Sequence, residues 1–173
     1  LDVPGEKKLL GKGVTYCATC DGPLFKGRAV AVVGATLGGL DATEYLSKIC
    51  SKVYLVTGKE VLRGKKELLN KIKSAKNVEV LLETTTTSIE GGGKVEGIRV
   101  VGPKGEEVVD VSGVFVEMGY RAETDWLDEW VERDERKQII VDANNHTKTL
   151  GIFAAGDVTL SLIHISEPTR LSL

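Results

Sequence analysis

The strongest constraint on the fold is a run of apolar residues that leads directly into a glycine-rich turn. The run covers residues 29–33, and the turn covers residues 34–39. Apolar side chains then recur at helical spacing over residues 40–49. A continuous β-branched run is typical of a strand that is buried on both faces. The segment therefore predicts a buried strand, a tight turn and a helix in succession.

The same alternation continues along the chain. Residues 53–56 predict a second buried strand, residues 60–75 a basic helix, and residues 78–82 a third strand. Strands that alternate with helices are the sequence form of a doubly wound parallel sheet. The predicted fold class is therefore α/β, with a Rossmann-like doubly wound parallel sheet.

A different pattern follows this alternation. Short alternating runs at residues 84–89, 95–101 and 106–111 are separated by glycine-rich turns, which predicts an added antiparallel β-meander. Residues 113–116 predict a return to a buried strand. The chain thus joins a parallel sheet to a small antiparallel one.

The segment after the predicted meander is acidic. Residues 124–136 carry Trp126 and Trp130, which predicts a short helix or turn that packs on the core. Residues 138–141 and 152–155 predict two more strands.

Composition and charge limit the class of protein. The chain has 173 residues, 42% of them hydrophobic, which is enough for a core, and a net charge of −2. This charge gives no electrostatic reason to expect nucleic acid or an anionic membrane, and no apolar run approaches the roughly 18 residues of a membrane span. The N-terminus lacks a secretory signal, so we expect a cytoplasmic protein. It also lacks an initiator Met, which predicts an incomplete copy.

The C-terminal end does not match the rest of the sequence. Residues 160–170 resemble a translated transposase adapter of the kind used to prepare sequencing libraries. We therefore expect residues 160–173 to be a non-native tail and exclude them from functional reasoning. The alternative is a natural C-terminal tail.

Two cysteines at C-x-x-C spacing are the main chemical signal. Thiols at Cys17 and Cys20 can close a small disulfide ring, and its opening and closing carries two electrons. A zinc site is one alternative, but Cys50 and His146 have no partner at ligand spacing, so we predict no metal. A pair of inert buried cysteines is the other alternative. Cys50 itself is predicted to be a core residue, and His146 is predicted to lie in a surface loop.

Asp21 follows the second cysteine directly. An acid in this position can supply or accept the proton that moves with thiol chemistry. It can equally cap a helix or turn that begins near Gly22. Both roles stay open at the level of the sequence.

Three segments resemble one family. Residues 13–22 resemble the redox-centre segment of thioredoxin reductases, which are FAD-dependent pyridine nucleotide-disulfide oxidoreductases. Residues 114–120 and 151–158 resemble later motifs of that family, and the similarity covers residues 1–159. The resemblance implies an enzyme that contains FAD, uses NADPH, reduces a thioredoxin-like protein and forms a homodimer.

The resemblance also implies roles for the residues of the redox centre. Cys17 would attack the disulfide of the protein substrate, Cys20 would lie nearer the flavin, and Asp21 would transfer the proton. The implied domains are residues 1–13 as a remnant of the FAD domain or a linker, and residues 14–120 as the NAD(P)-binding type. Residues 121–159 would return into the FAD domain.

The glycine turn departs from the dinucleotide fingerprint G-x-G-x-x-G/A. Gly34 and Gly39 fit its first and last positions, and Gly38 is an extra glycine. Thr36 occupies the middle position, where a β-branched residue adds bulk and disfavours a positive φ. These four residues are the predicted nucleotide-binding turn.

The end of the second predicted strand bears on the choice of nucleotide. The family usually has His-Arg-Arg-x-x-x-Arg there, whereas this chain keeps a cation only at Lys59 and Arg63. These two would bind the 2′-phosphate of NADPH, or else form a solvated start of a basic helix. Together with Thr36, the weakened cluster makes ferredoxin or another electron donor the alternative to NADPH. Some members of the family that lack a good nicotinamide site use such donors.

Gly156 and Asp157 end the last predicted strand. By resemblance, Asp157 would bind the ribityl or phosphate part of FAD; the alternative is a cap of a following helix. The predicted function is electron transfer through FAD to Cys17–Cys20 and then to a thioredoxin-like protein. A non-catalytic nucleotide-binding module is the alternative from a different class.

Overall fold

The computed structural model describes residues 1–119 and 123–159. The chain divides into two compact units, Leu1–Gly119 and Tyr120–Leu173. In the part of the chain that is described, no helix combines the length and the apolar character needed to cross a membrane.

Unit Leu1–Gly119 contains eight strands and four α-helices. The strands are β1 (Val14–Thr15), β2 (Ala29–Val33), β3 (Lys52–Val56), β4 (Val78–Leu81), β5 (Thr85–Glu90), β6 (Gly97–Gly102), β7 (Gly105–Asp110) and β8 (Gly113–Val116). The helices are α1 (Glu6–Leu9), α2 (Ala18–Asp21), α3 (Leu37–Ser47) and α4 (Lys66–Ser74), and a 3₁₀-helix spans Gly22–Phe25.

The strands form the two sheets that the sequence predicts. Strands β1, β8, β2, β3 and β4 lie in that order in a parallel sheet. Strands β5, β6 and β7 form an antiparallel meander. The predicted α/β fold class, with a Rossmann-like parallel sheet and an added meander, is confirmed.

Each face of the parallel sheet has its own core. Val30 and Val32 of β2 belong to a buried cluster with Leu40 and Leu46 of α3, whereas Ala31 belongs to a second cluster with residues of the meander. Successive residues of a strand point to opposite faces, so one continuous apolar run supplies both clusters. Helices α3 and α4 therefore cover one face of this sheet, and the meander covers the other.

Two helices have bounds that differ from the sequence prediction. Helix α3 begins at Leu37, three residues before the predicted start, because Thr36 caps it. Helix α4 begins at Lys66, whereas the sequence predicts a helix over residues 60–75. A Cβ at Gly64 would lie 2.7 Å from Leu40, so this glycine packs closely against α3 and the chain becomes helical only after it.

The segment predicted as a linker has structure of its own. Helix α1 lies within residues 1–13, and Leu9 at its end is buried in the core on the meander side. The carbonyl of Pro4 accepts a hydrogen bond from the Ile89 amide at 2.9 Å. These contacts attach the segment to β5.

The second unit has little regular structure in residues 123–159. A 3₁₀-helix spans Asp125–Leu127, as the predicted short helix or turn requires. The strands predicted at 138–141 and 152–155 are wrong: Ile139 and Phe153 each take part only in isolated bridges. Short apolar runs suit a strand, but a strand also needs a neighbour that pairs over several residues.

Trp126 and Trp130 are not core residues of this structure. Their exposed fractions are 78% and 55%, so the prediction that they pack on the core is wrong. The predicted non-native tail, residues 160–173, lies outside the described residues.

Candidate functional site

The two cysteines of the C-x-x-C segment form a disulfide immediately after β1. Cys17 and Cys20 are bonded, with their Cα atoms 5.3 Å apart. Cys17 is half-buried and Cys20 is exposed. The Cys20 amide donates a hydrogen bond to the Cys17 sulfur at 3.2 Å, and the Thr19 hydroxyl lies 3.5 Å from the same sulfur. The bond is therefore accessible from outside this unit.

Strand register brings the disulfide and the glycine turn to one edge of the sheet. Thr15 at the end of β1 pairs with Phe115 of β8, which pairs in turn with Val32 of β2. All these strands run parallel, so the residues that follow them leave at the same carboxyl edge. Ligands of open α/β sheets bind at that edge.

Apolar contacts hold the disulfide segment on the sheet. Ala18 and Phe25 are buried, and the ring of Phe25 packs edge-on against Phe115 with centroids 5.3 Å apart. A Cβ at Gly22 would lie 2.9 Å from the Tyr45 ring, so this glycine permits close packing of the segment on α3. The disulfide is exposed while the backbone below it is anchored.

The Asp21 carboxylate binds the strand rather than the helix that follows. It accepts a hydrogen bond from the Thr15 hydroxyl, and the same hydroxyl accepts one from the Cys17 amide at 3.2 Å. Asp21 precedes the 3₁₀-helix Gly22–Phe25 but makes no side-chain capping bond to it. The capping alternative for Asp21 is therefore wrong. Instead, two hydrogen bonds connect the Asp21 carboxylate, through the Thr15 hydroxyl, to the Cys17 backbone amide.

The glycine turn requires glycine at its first and last fingerprint positions. Gly34 has a φ of +114°, and a Cβ there would overlap the carbonyl oxygen of Glu117. A Cβ at Gly39 would overlap the carbonyl oxygen of Gly34. Both positions therefore depend on the missing side chain, because backbone atoms cannot move aside cheaply. Gly38 is less restricted, since a Cβ there would lie 3.2 Å from a carboxylate oxygen of Glu117.

Thr36 does not strain the turn. Its φ is −72°, so the expectation that a β-branched residue would oppose a positive φ here is wrong. Its hydroxyl accepts a hydrogen bond from the Gly39 amide at 3.1 Å and donates one to the Glu117 carbonyl at 2.9 Å. Thr36 therefore caps α3 and ties the turn to the end of β8.

A cleft of about 460 Å³ opens beside this turn at the ends of β2 and β3. Lys59 belongs to its lining, whereas Arg63 is exposed and is not part of it. The lining therefore supplies one of the two predicted cations. Its members are Leu1, Val33, Gly34, Ala35, Thr36, Val56, Thr57, Gly58, Lys59, Thr84, Thr85, Thr86 and Met118.

Glu117 is a residue at this edge that sequence reasoning missed. It follows β8 directly, is half-buried, and its desolvation by burial raises the pKa of its carboxyl group. One carboxylate oxygen lies beside Gly38, in the first turn of α3, where an anionic ligand would bind. The signal in the sequence that could have identified Glu117 is its position directly after a buried strand.

The other predicted residues are not part of this cleft. Gly156, in the second unit, has a φ of +84° and accepts a hydrogen bond from the Thr159 amide at 3.0 Å, and Asp157 is exposed. Cys50 is buried, as predicted. His146 is exposed, as predicted, with Nδ1 3.0 Å from a carboxylate oxygen of Asp142. In residues 1–119 and 123–159, no three His, Cys, Asp or Glu side chains form a possible metal site.

Comparison with known proteins identifies the class. The family described as pyridine nucleotide-disulphide oxidoreductase matches residues 1–171, so the chain belongs to that family. The predicted membership of an FAD-dependent disulfide oxidoreductase family is thereby confirmed.

Two curated relatives and a solved structure are similar to this chain. The chain is 43% identical over 181 residues to a subunit of the alkyl hydroperoxide reductase of Pseudomonas putida, covering 100% of this chain and 35% of the relative. It is 39% identical over 161 residues to the corresponding protein of Staphylococcus aureus (strain COL), covering 92% and 32%. The thioredoxin reductase of T. acidophilum superposes with a TM-score of 0.82 at 34% identity, covering 92% and 53%.

A ferredoxin-flavin thioredoxin reductase from Clostridium acetobutylicum is also similar. It superposes with a TM-score of 0.57 at 32% identity, and the match covers 92% of this chain and 50% of that one. The chain thus spans about a third of the length of the curated relatives and about half of these solved structures.

Proposed function

We propose that the complete protein is a flavin-dependent disulfide reductase whose redox-active disulfide is Cys17–Cys20. The observation that carries the proposal is an accessible disulfide at the carboxyl edge of a nucleotide-binding type of sheet. Membership of the family supports it. The division of the chain after Gly119 supports residues 14–120 as the NAD(P)-binding type of domain and residues 121–159 as part of an FAD domain.

Reduction of the disulfide needs two electrons and two protons and leaves two thiols. FAD, when bound and reduced by the electron donor, would supply the electron pair. Gly156 and Asp157 are the residues that we propose to hold it, since a left-handed turn followed by an exposed carboxylate suits hydrogen bonding to a ribityl chain. Asp21 would supply or take up a proton of the dithiol. The Thr15 hydroxyl, which donates a hydrogen bond to this carboxylate and accepts one from the Cys17 amide, would hold Asp21 at the redox segment.

The reduced pair would then act by thiol–disulfide exchange. The Cys17 thiolate attacks the disulfide of the partner protein, which forms a mixed disulfide and releases one partner thiolate. The Cys20 thiolate next attacks the Cys17 sulfur, which restores the ring and releases the second partner thiolate. The Cys20 amide already donates a hydrogen bond to the Cys17 sulfur, and such a donor favours the thiolate form.

For the electron donor we propose NADPH, bound in the cleft beside the glycine turn. Gly34 and Gly39 permit the close backbone contacts that shape the turn at the start of α3, where a pyrophosphate would bind, and Lys59 offers one cation for a 2′-phosphate. Ferredoxin is the second candidate. Arg63 lies outside the cleft lining, and a similar solved structure is a ferredoxin-flavin thioredoxin reductase.

For the acceptor we propose a thioredoxin-like protein, reduced by a homodimeric enzyme. The T. acidophilum thioredoxin reductase supports this choice. A role within an alkyl hydroperoxide reductase is the second candidate, favoured by the 43% identity to a subunit of such an enzyme. In that case the electrons would finally reduce a hydroperoxide.

The test of the proposed disulfide uses the complete polypeptide, expressed with its genomic flanking sequence. Cys17→Ser and Cys20→Ser should each lower the turnover of a thioredoxin disulfide by at least about 10³-fold, because neither leaves an exchangeable pair. Cys50→Ala, which changes a buried cysteine outside the site, is the control and should keep its turnover. Unimpaired turnover in Cys20→Ser, or a complete protein without flavin absorbance, would contradict the proposal.

A second experiment ranks the donors and acceptors. Flavin bleaching is followed by stopped flow after mixing with NADPH, NADH or reduced ferredoxin, and we expect NADPH to react fastest. Consumption of the donor is then compared with a thioredoxin and with a hydroperoxide plus its peroxidase. A faster reaction with ferredoxin, or with the hydroperoxide system, would establish the second candidate in each case.

A further inference from the structure

One buried hydroxyl in the cleft has no partner in the described residues. The side chain of Thr86 is 6% exposed, and its Oγ1 is the one buried side-chain nitrogen or oxygen of residues 1–119 and 123–159 that makes no hydrogen bond. Thr86 belongs to the lining of the cleft. Since buried hydroxyl groups are almost always hydrogen-bonded, an unpartnered one indicates a partner outside the chain.

The other buried or half-buried threonines of the lining are already paired. Thr36 bonds the Gly39 amide and the Glu117 carbonyl. The Thr57 hydroxyl accepts a hydrogen bond from the Lys59 amide at 3.3 Å, and the Thr84 hydroxyl donates one to the Leu82 carbonyl at 2.7 Å. These three hydroxyl groups form hydrogen bonds with backbone atoms, whereas the Thr86 hydroxyl forms none.

The strand is irregular where Thr86 lies. The register between β5 and β6 shifts between Thr86 and Ser88, so Thr87 is an extra residue in the ladder. Such bulges re-aim neighbouring side chains and are common beside binding sites. The irregularity and the unpartnered hydroxyl are separate observations at one position.

The position of Thr86 within the cleft indicates which part of a dinucleotide it would meet. The Thr84 amide donates to the Thr57 carbonyl at 2.9 Å, and the Glu83 amide donates to the Lys59 carbonyl at 3.1 Å. The segment that leads into Thr86 therefore lies against the residues that follow β3. In dinucleotide-binding sheets, the residues after this strand contact the adenosine ribose, while the glycine turn contacts the pyrophosphate.

We propose that Thr86 is a nucleotide-binding residue whose hydroxyl forms a hydrogen bond with the adenosine half of the dinucleotide. The proposal rests on the cleft being a nucleotide site, as the proposed function has it. A hydroxyl can donate and accept, so it suits either a ribose hydroxyl or a ring nitrogen of adenine. Because its Oγ1 is buried, the Thr86 side chain has to rotate towards the cleft to meet a ligand. That rotation breaks no hydrogen bond, so a ligand that completes one is favoured.

The test is calorimetric titration of the 173-residue chain with ADP-ribose. Thr86→Val keeps the shape and removes the hydroxyl, so the dissociation constant should rise about two- to tenfold. Thr86→Ser keeps a hydroxyl and should bind as the unsubstituted chain does. Thr87→Val removes a hydroxyl from the same strand outside the cleft lining and should leave the affinity unchanged.

Thermal unfolding distinguishes a ligand partner from an internal one. Without ligand, Thr86→Val should unfold at the same or a higher temperature, because a buried unpaired hydroxyl is lost. A lower unfolding temperature would show that the hydroxyl is already paired and would overturn the inference. An unchanged affinity in Thr86→Val would overturn it while leaving the nucleotide site intact. Failure of the unsubstituted chain to bind ADP-ribose would overturn both the inference and the proposed nucleotide site.

Discussion

The disulfide segment and the glycine turn share one edge of the parallel sheet but are built in opposite ways. In the disulfide segment, the backbone is anchored from below by Ala18 and Phe25 and the reactive bond is exposed. In the glycine turn, polar and backbone atoms are engaged with the neighbouring strand, and no Cβ fits at Gly34 or Gly39. The comparison shows that a disulfide can be exposed above an anchored backbone, whereas the conformation of the glycine turn is fixed by contacts with neighbouring backbone atoms.

The disulfide segment and the glycine turn also follow different kinds of strand in the sheet. The disulfide segment follows β1, an edge strand of two residues that pairs only with β8 within this sheet. The glycine turn follows β2, which lies between β8 and β3. Short edge strands open at lower free energy than central ones, so we expect amide exchange to be faster around Cys17 than around Gly34.

The largest effect that tests the comparison is expected at Gly39. Gly39→Ala places a Cβ against the carbonyl of Gly34, so the turn must shift or α3 must move away. The free energy of unfolding should fall by roughly 3 kcal/mol, and binding of ADP should be lost. Urea denaturation followed by circular dichroism measures the first effect, and calorimetry measures the second.

Gly58→Ala is the matched control for this experiment. Gly58 lines the same cleft, but a Cβ there would meet only the Thr85 hydroxyl, at 3.9 Å. Its stability should change by less than about 0.5 kcal/mol. Equal stability of the two variants would show that the glycine turn is as adaptable as the rest of the cleft, and the contrast with the disulfide segment would fail.

A smaller effect is expected at Glu117. Its carboxylate lies beside Gly38 at the start of α3, where it would compete with the proposed pyrophosphate for the same positive end of the helix. Glu117→Gln removes the like charge and should tighten binding of ADP about fivefold, which corresponds to about 1 kcal/mol. Titration calorimetry at neutral pH measures the change.

Glu107→Gln makes the same charge change on β7, outside the lining of the cleft. It should leave the affinity for ADP unaltered. Weaker or unchanged binding in Glu117→Gln would mean that the carboxylate does not oppose a phosphate, and that the turn is fully preformed without it.

The parallel sheet could be predicted from the sequence because most of its strands lie in short, mainly apolar runs rich in valine. Residues 29–33 need no partner to identify them, and β2 has the same bounds in the structure. The start of α4 could not be predicted, since it depends on the contact of Gly64 with Leu40. The strand predicted at 138–141 failed for the same reason, because pairing is a property of two segments.

The candidate site was predictable where chemistry follows sequence spacing. The C-x-x-C motif identified Cys17 and Cys20, and the glycine spacing identified Gly34 and Gly39. Thr86 is different, because its significance depends on burial and on the pairing of other hydroxyl groups. No local pattern of residue types carries that information.

The buried Cys50 differs from the exposed disulfide in its titration, and the expected effect on stability is smaller. Burial raises the pKa of the Cys50 thiol above its ordinary value of 9.0, while the Cys17–Cys20 disulfide does not titrate. The folded state therefore holds the Cys50 proton more tightly than the unfolded state does. This contribution to stability is fully present below pH 9.0 and is lost as the pH rises through the folded pKa.

Cys50→Ala should therefore lose less stability than the unsubstituted chain as the pH rises above 9.0, which urea denaturation of the oxidised proteins measures in small pH steps. The variant starts from a lower stability because it leaves a small cavity, so the slopes with pH are compared rather than the absolute values. Parallel slopes would mean that the Cys50 thiol ionises as readily in the folded state as in the unfolded one. Burial would then not protect the Cys50 thiol from ionisation, and the contrast between an exposed disulfide and an inert buried thiol would not hold.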